Sequence, residues 1–215
     1  MKSSLFYIGG QYLYRMYIDL TLSLDNHTPV FPGSIKPKIT QLTTIDTKGY
    51  NEQKIMFSTH VSTHIDAPRH MLASAKTLTD YDIDTFVGDA ILIDVHGQKT
   101  ITADLTDVYP KDIVFFYTGH SQHIHEPTYF SSNPVLSTKT ALALIDRQIK
   151  IVGFDTFSPD NKPYHIHKLL FQHDILIVEN LIHLDRLPTG RFKCYILPLK
   201  IQDADGAPCR VIAQI

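Results

Sequence analysis

The sequence predicts a single α/β domain built on one mixed β-sheet with few helices. Short apolar runs bounded by turn residues recur along the chain, as buried strands do. Only two stretches carry a helical pattern. The 215 residues contain no long Gly/Ser-rich or Pro-rich linker, so one core accounts for them. In chain order, Tyr17 to Leu24 reads as a strand, and residues 26–37 as a loop punctuated by Pro29, Pro32, Gly33 and Pro37. Lys38 to Ile45 and Gln53 to His64 read as strands. Ala90 to Val95, Ile113 to Tyr117 and Lys150 to Phe154 are short aliphatic and aromatic runs of the buried-strand type. Ser137 to Ile149 reads as a helix capped by Ser137 or Thr138, with Ala141, Leu142, Leu144 and Ile145 on one side. Pro163 to Gln172 reads as a second helix, with Pro163 in its first turn. Ile175 to Val178, Tyr195 to Ile201 and Val211 to Ile215 close the chain as strands.

A formal net charge of −2 argues against a nucleic-acid surface, and no apolar run approaches the roughly 20 residues that span a bilayer. A small-molecule substrate is the partner this balance suits. Cys194 and Cys209 are too few for a disulfide framework, which makes the cytoplasm the expected location. Residues 1–15 carry Lys2 and Arg15 and no acidic residue. Gly9, Gly10 and Gln11 interrupt their apolar stretch, so they make a poor signal peptide. They are expected to be an N-terminal extension without fixed structure. Met16 is then the candidate functional start, and residues 16–215 the domain.

The chemistry concentrates in His60-Val61-Ser62-Thr63-His64-Ile65-Asp66-Ala67-Pro68-Arg69-His70. In an extended strand His60, Ser62, His64 and Asp66 share one face, and Val61, Thr63 and Ile65 the other. At about 100° per residue a helix would put Asp66 far from His64. Two imidazoles and a carboxylate on one face suit zinc or a similar divalent ion. Downstream, His165, His167, His173, Glu179 and His183 are candidates for the remaining ligands. Glu179 ends an aliphatic strand, where a carboxylate is either solvated or placed for a purpose. A second His-rich stretch, Gly119 to Pro127, reads as a polar loop, because no hydrophobic pattern fixes its side chains.

The segment from His60 to His70 resembles the His-x-Gly-Thr-His-x-Asp-x-Pro-x-His signature of the cyclase family of metal-dependent hydrolases, whose best-known members are bacterial kynurenine formamidases. The resemblance runs from about Tyr17 to Ala213. It takes in Thr28-Pro29-Val30-Phe31-Pro32-Gly33, Tyr117-Thr118-Gly119, Val152 to Asp160, His167 with Glu179-Asn180-Leu181 and Leu184, and Asp205-Gly206-Ala207-Pro208-Cys209-Arg210. It implies a swivelling β/β/α architecture, a homodimer or larger assembly, and two divalent ions, zinc or manganese. It implies further that His60, His64, Asp66, His167 and Glu179 hold those ions, that His70 is the catalytic acid/base, and that Phe31 stacks on the substrate. The implied activity is arylformamidase: hydrolysis of N-formylkynurenine to kynurenine and formate by metal-activated water. Ser62 replaces the motif glycine, a change a strand face can hold. Phe31 replaces tryptophan, Ser34 an aspartate and Tyr117 an arginine; none of these is a ligand, and three lie where a pocket is shaped. Another cyclic amide, a lactone or an acyl amide is therefore an alternative substrate, and a non-catalytic metal-binding homologue is the alternative of another class. Serine catalysis is disfavoured, because no Gly-x-Ser-x-Gly elbow exists.

Overall fold

The computed structural model describes residues 4–8 and 11–215. The strands are β1 (Ser4–Ile8), β2 (Gln11–Arg15), β3 (Tyr17–Asp19), β4 (Lys38–Thr43), β5 (Glu52–Met56), β6 (His64–Asp66), β7 (Val87–Asp94), β8 (Thr100–Ile101), β9 (Ile113–Tyr117), β10 (Val135–Leu136), β11 (Ile151–Phe154), β12 (Leu176–Glu179), β13 (Arg191–Pro198) and β14 (Gly206–Gln214). The helices are α1 (Ile45–Lys48), α2 (Thr138–Asp146) and α3 (His165–Phe171). Of the expected extension, Ser4–Ile8 and Gln11–Arg15 pair as an antiparallel ribbon; the remainder of residues 1–10 lies outside the described residues.

The main sheet runs β13-β7-β9-β11-β12-β6-β14-β3, and β13 also pairs with β14. That extra pairing closes the sheet into a barrel, with β3 at its flank. Strands β7, β9, β11 and β12 are parallel neighbours. From β12 onward the pairings to β6 and β14 are antiparallel. Alternation along the parallel strands sorts their side chains into two cores. Ile113, Phe115, Ile151, Leu176 and Val178 fill the barrel with Ile65, Phe192, Ile196 and Val211. Val114, Phe116, Val152, Phe154 and Ile177 face outward, onto Ala141 and Leu144 of α2 and Ile166, Leu170 and Phe171 of α3. The expected mixed sheet with few helices is thus present, and both long helices cover its outer face.

Several boundaries differ from expectation, each for a physical reason. The strand expected from Gln53 to His64 is two: β5, in a separate ribbon with β4, stops at Met56, and β6 of the main sheet starts at His64. Between them Ser62 has φ 57°, a left-handed conformation that an extended strand cannot contain. The segment from Tyr17 is extended only to Asp19, after which Thr21 contributes a single bridge to Leu181. Pro163 lies before α3 rather than in its first turn: Tyr164, at φ 61°, is the N-cap. Ser137 caps α2 as expected, its side chain accepting from the Thr140 N–H at 3.1 Å.

Candidate metal centre

Strand β6 is three residues long and lies between β12 and β14. Its register sets His64 opposite Glu179 and Asp66 opposite Ile177. Directly opposed residues of an antiparallel pair project from the same face. That face is the one on which Ile177 meets α3, while Ile65 points into the barrel. Helix α3 brings His167 over it, so the sheet supplies His64, Asp66 and Glu179 and the helix supplies a further buried imidazole. The site sits where the sheet changes from parallel to antiparallel, at the carboxyl end of β12.

The distances are short. His64 Nε2 lies 3.4 Å from Asp66 Oδ1 and 3.3 Å from Glu179 Oε2. His167 Nε2 lies 3.2 Å from Glu179 Oε1. His60 reaches the cluster from the loop before β6, with Nδ1 2.7 Å from Asp66 Oδ1. One donor atom from each of His60, His64 and Asp66 lies within 4.8 Å of the others, and the same holds for Asp66, His167 and Glu179. Asp66 belongs to both of these sets, and a third such set, His60, His70 and Asp205, adjoins them. His64, Asp66, His167 and Glu179 are buried; His60 and His70 are part-exposed and face the solvent side.

The imidazoles are held from behind. His64 Nδ1 donates to the Ser62 carbonyl at 2.9 Å, and His167 Nδ1 to Asp160 Oδ1 at 2.6 Å. Each ring thereby presents Nε2 inward, the arrangement that outer partners impose on metal-binding histidines. Asp160 also accepts from the backbone N–H of Ile166 at 2.6 Å, fixing the start of α3 and its histidine together. Gly206 is needed for His60: a Cβ there would lie 2.6 Å from the ring Cε1.

A cation fits this donor set. Among the described residues, His64 Nε2 is the buried side-chain polar atom without a hydrogen bond. Its other nitrogen is already a donor, so Nε2 turns a lone pair toward two carboxylates unless a proton or a cation lies between them. The electrostatics agree. Burial opposes charge on His60, but Asp66 and Asp205 outweigh it and raise its pKa to about 10. Burial likewise opposes charge on His167, and Asp160 and Glu179 raise it to about 9. Burial pushes Asp66 up, and His60 and His64 more than reverse this, holding it well below the usual carboxylate range. His70 goes the other way: burial lowers its pKa, with the neighbouring His60 and His167 adding to the effect against the carboxylates of Asp66 and Glu179. It is thus neutral near pH 7 and able to accept a proton.

Every ligand candidate that the resemblance singled out converges here. His165 is exposed, and His173 and His183 bond instead to the carbonyls of Leu169 and Asp19. The His-rich loop is structural: His120 stacks on Tyr129 at 4.7 Å, and His123 pairs with Glu126. Ser62 turns its hydroxyl to the Leu22 carbonyl and not toward the cluster. The motif's glycine is therefore explained by Ser62's positive φ and not by room on a strand face. Phe31 is 44% exposed and meets Phe130 edge-on at 6.1 Å and Phe157 at 5.9 Å. That aromatic group is tied to the centre through the Tyr129 hydroxyl, which donates to Asn180, the neighbour of Glu179, at 2.8 Å. Tyr117 meets His96 and Gln122, neither of which belongs to the cluster. Two carboxylates of the centre, Asp160 and Asp205, are not marked by ligand spacing. Both lie in segments that share the family pattern, but a side chain that supports a ligand carries no spacing signal of its own.

The Cyclase family model matches residues 18–161. A kynurenine formamidase of Bacillus cytotoxicus is 31% identical over 201 residues, covering 91% of this chain and 96% of that protein. A solved structure described as a potential metal-dependent hydrolase with cyclase activity is 28% identical, with a TM-score of 0.80 over 93% of this chain and 98% of the other. Isatin hydrolase A from Labrenzia aggregata, at 23% identity and TM-score 0.84 over 94% of each chain, shares the fold.

Proposed function

Because this chain belongs to the cyclase family, we propose that it is a metal-dependent hydrolase acting on a C–N bond outside peptides, and within that class an arylformamidase that releases formate from N-formylkynurenine. The observation that carries the reading is the convergence of His60, His64, Asp66, His167 and Glu179 around the unpartnered His64 Nε2, with His70 at the open side. In this reading those five residues would hold two divalent ions, zinc before manganese. Such ions lower the pKa of water toward neutrality and polarise a carbonyl oxygen. His70 accepts the proton of the attacking water and returns it to the leaving aniline nitrogen as the C–N bond breaks. Phe31, with Phe130 and Phe157, offers an aromatic wall for the substrate ring. The protein acts as a cytoplasmic homodimer. The exposed side chains of β4, β5 and their connection support the dimer: Leu42, Ile45, Tyr50, Ile55 and Met56 are each about half exposed or more.

Metal-replete protein assayed with N-formylkynurenine and N-formyl anilides is expected to release formate. Turnover confined to isatin-like lactams or lactones would move the substrate within the family. Two bound ions per chain with no turnover on any of these would leave a metal-binding homologue and end the hydrolase reading. His70→Ala is expected to retain its metal and lose about 10²–10⁴-fold in kcat; undiminished kcat would remove His70 from the reaction.

A further inference from the structure

Asp205 begins the approach to β14, and its position is fixed by the backbone: its carbonyl accepts from the Ala67 N–H at 2.9 Å, and Gly206 pairs with Asp66. Its side chain meets two histidines of different expected role. Asp205 Oδ2 lies 2.9 Å from His60 Nε2 and 3.5 Å from His70 Nδ1. The two rings pack against each other at a tilt, centroids 3.9 Å apart and planes inclined by 39°. His60 turns its other nitrogen, Nδ1, to Asp66.

We propose that Asp205 is a positioning residue that couples the metal centre to the acid/base, one carboxylate oxygen holding the outer nitrogens of both His60 and His70. This rests on the hydrolase reading above and adds to it a residue with a defined task. A carboxylate accepts from N–H groups only. His60 lies between two carboxylates, Asp66 at Nδ1 and Asp205 at Nε2, and without an ion it carries hydrogen on both nitrogens; with an ion in place of the Nδ1 hydrogen, Asp205 would hold the remaining hydrogen on Nε2. For His70 it selects hydrogen on Nδ1, leaving Nε2 free to take the proton of the attacking water. When Nε2 has taken that proton, the imidazolium lies against a carboxylate; the proton then passes to the leaving nitrogen and Asp205 itself is not protonated. Asp160 performs the first task for His167 but touches no acid/base. Among the described residues, Asp205 is the one whose side chain hydrogen-bonds to both a ligand candidate and His70.

The test uses Asp205→Asn and Asp205→Glu in the full chain, alone and combined with His70→Ala. Competition between protein and a chromophoric chelator for Zn²⁺ reads the His60 half; Asp205→Asn is expected to weaken Zn²⁺ binding about 10–100-fold, the range for lost outer partners of metal histidines. At saturating Zn²⁺, kcat on the formyl anilide is expected to fall at least tenfold with KM changed by less than threefold. Asp205→Glu should restore most of both losses. Added to His70→Ala, Asp205→Asn should cost little further kcat, since the two act as a unit. Ring ¹⁵N spectra of the Zn²⁺-loaded protein read the His70 tautomer without any substrate: hydrogen on Nδ1 is expected, and its loss in Asp205→Asn. Wild-type Zn²⁺ affinity and an unchanged His70 spectrum in Asp205→Asn would overturn the proposal. If no formyl anilide turns over, the function reading fails, and the chelator and ¹⁵N measurements still decide the role of Asp205.

Discussion

Gly206 illustrates how closely the centre is packed at the level of single atoms. The His60 ring occupies the space a side chain would take, so Gly206→Ala forces the ring or the strand to move. The expected result is Zn²⁺ affinity lowered about 10-fold or more, measured by chelator competition, in a protein that still folds. A second expectation concerns protons. In the metal-free protein His60 and His167 titrate at about 10 and about 9, above the ordinary value of about 6.5. Groups with raised pKa stabilise the fold below the unfolded value and lose that contribution as pH rises through the folded one. Metal-stripped protein should therefore show a falling Tm between about pH 6.5 and 10, while bound Zn²⁺ takes over the charge balance and widens the Tm gap. A gap that narrows with rising pH would contradict the proposed ligands. The residue types of the centre were legible in the sequence because few side chains bind a divalent ion, and His and Asp crowded at close spacing are costly to bury without one. Their geometry was not. His60 and His64 meet across the left-handed turn at Ser62 and not along a strand, and backbone sign is invisible to a period-two count.

At the scale of elements, Asn180 links three pieces of chain. Its side chain donates to the Ser62 carbonyl at 3.0 Å and accepts from Tyr129, while its carbonyl accepts from the Thr63 hydroxyl at 2.6 Å. The turn into β6, the aromatic group and the end of β12 are thereby fixed to one another. Asn180→Ala leaves the Tyr129 hydroxyl without its acceptor and removes one of two donors to the Ser62 carbonyl, and should destabilise the protein by about 1–3 kcal/mol, read by urea denaturation. Asp160→Asn acts on α3 and on His167 together, so reduced Zn²⁺ affinity and reduced Tm are expected in the same variant. The short aliphatic strands β9, β11 and β12 were readable because burial on both faces leaves an unbroken apolar run. The loop between β5 and β6 was not, since Val61 and Thr63 have strand-type side chains, while Ser62 and Thr63 are held by Asn180, more than a hundred positions away.

For the whole molecule, strands β4 and β5 pair, among the described residues, only with each other. An isolated two-stranded ribbon is marginal in water, and the proposed homodimer would cover its apolar side chains. Ile55→Lys combined with Met56→Lys is expected to shift the protein from dimer to monomer in sedimentation velocity; a wild-type monomer would remove the dimer from the reading. The resemblance made the family legible end to end, yet barrel closure was not, because the β13–β14 pairing depends on register between strands that read simply as consecutive.

Barrel closure has a consequence in time. Strand β6 has β12 on one side and β14 on the other, and Asp205 follows His60 by 145 positions. During synthesis the histidines of residues 60–70 leave the ribosome well before residues 205–214, and their enclosure must await that segment. Closure over so long a stretch of chain is slow, so high-affinity ion loading is expected only after β14 has emerged and paired. A ribosome-stalled chain cut near residue 200 should bind Zn²⁺ weakly, and one stalled behind a linker long enough to bring β14 out of the tunnel should bind it with full affinity.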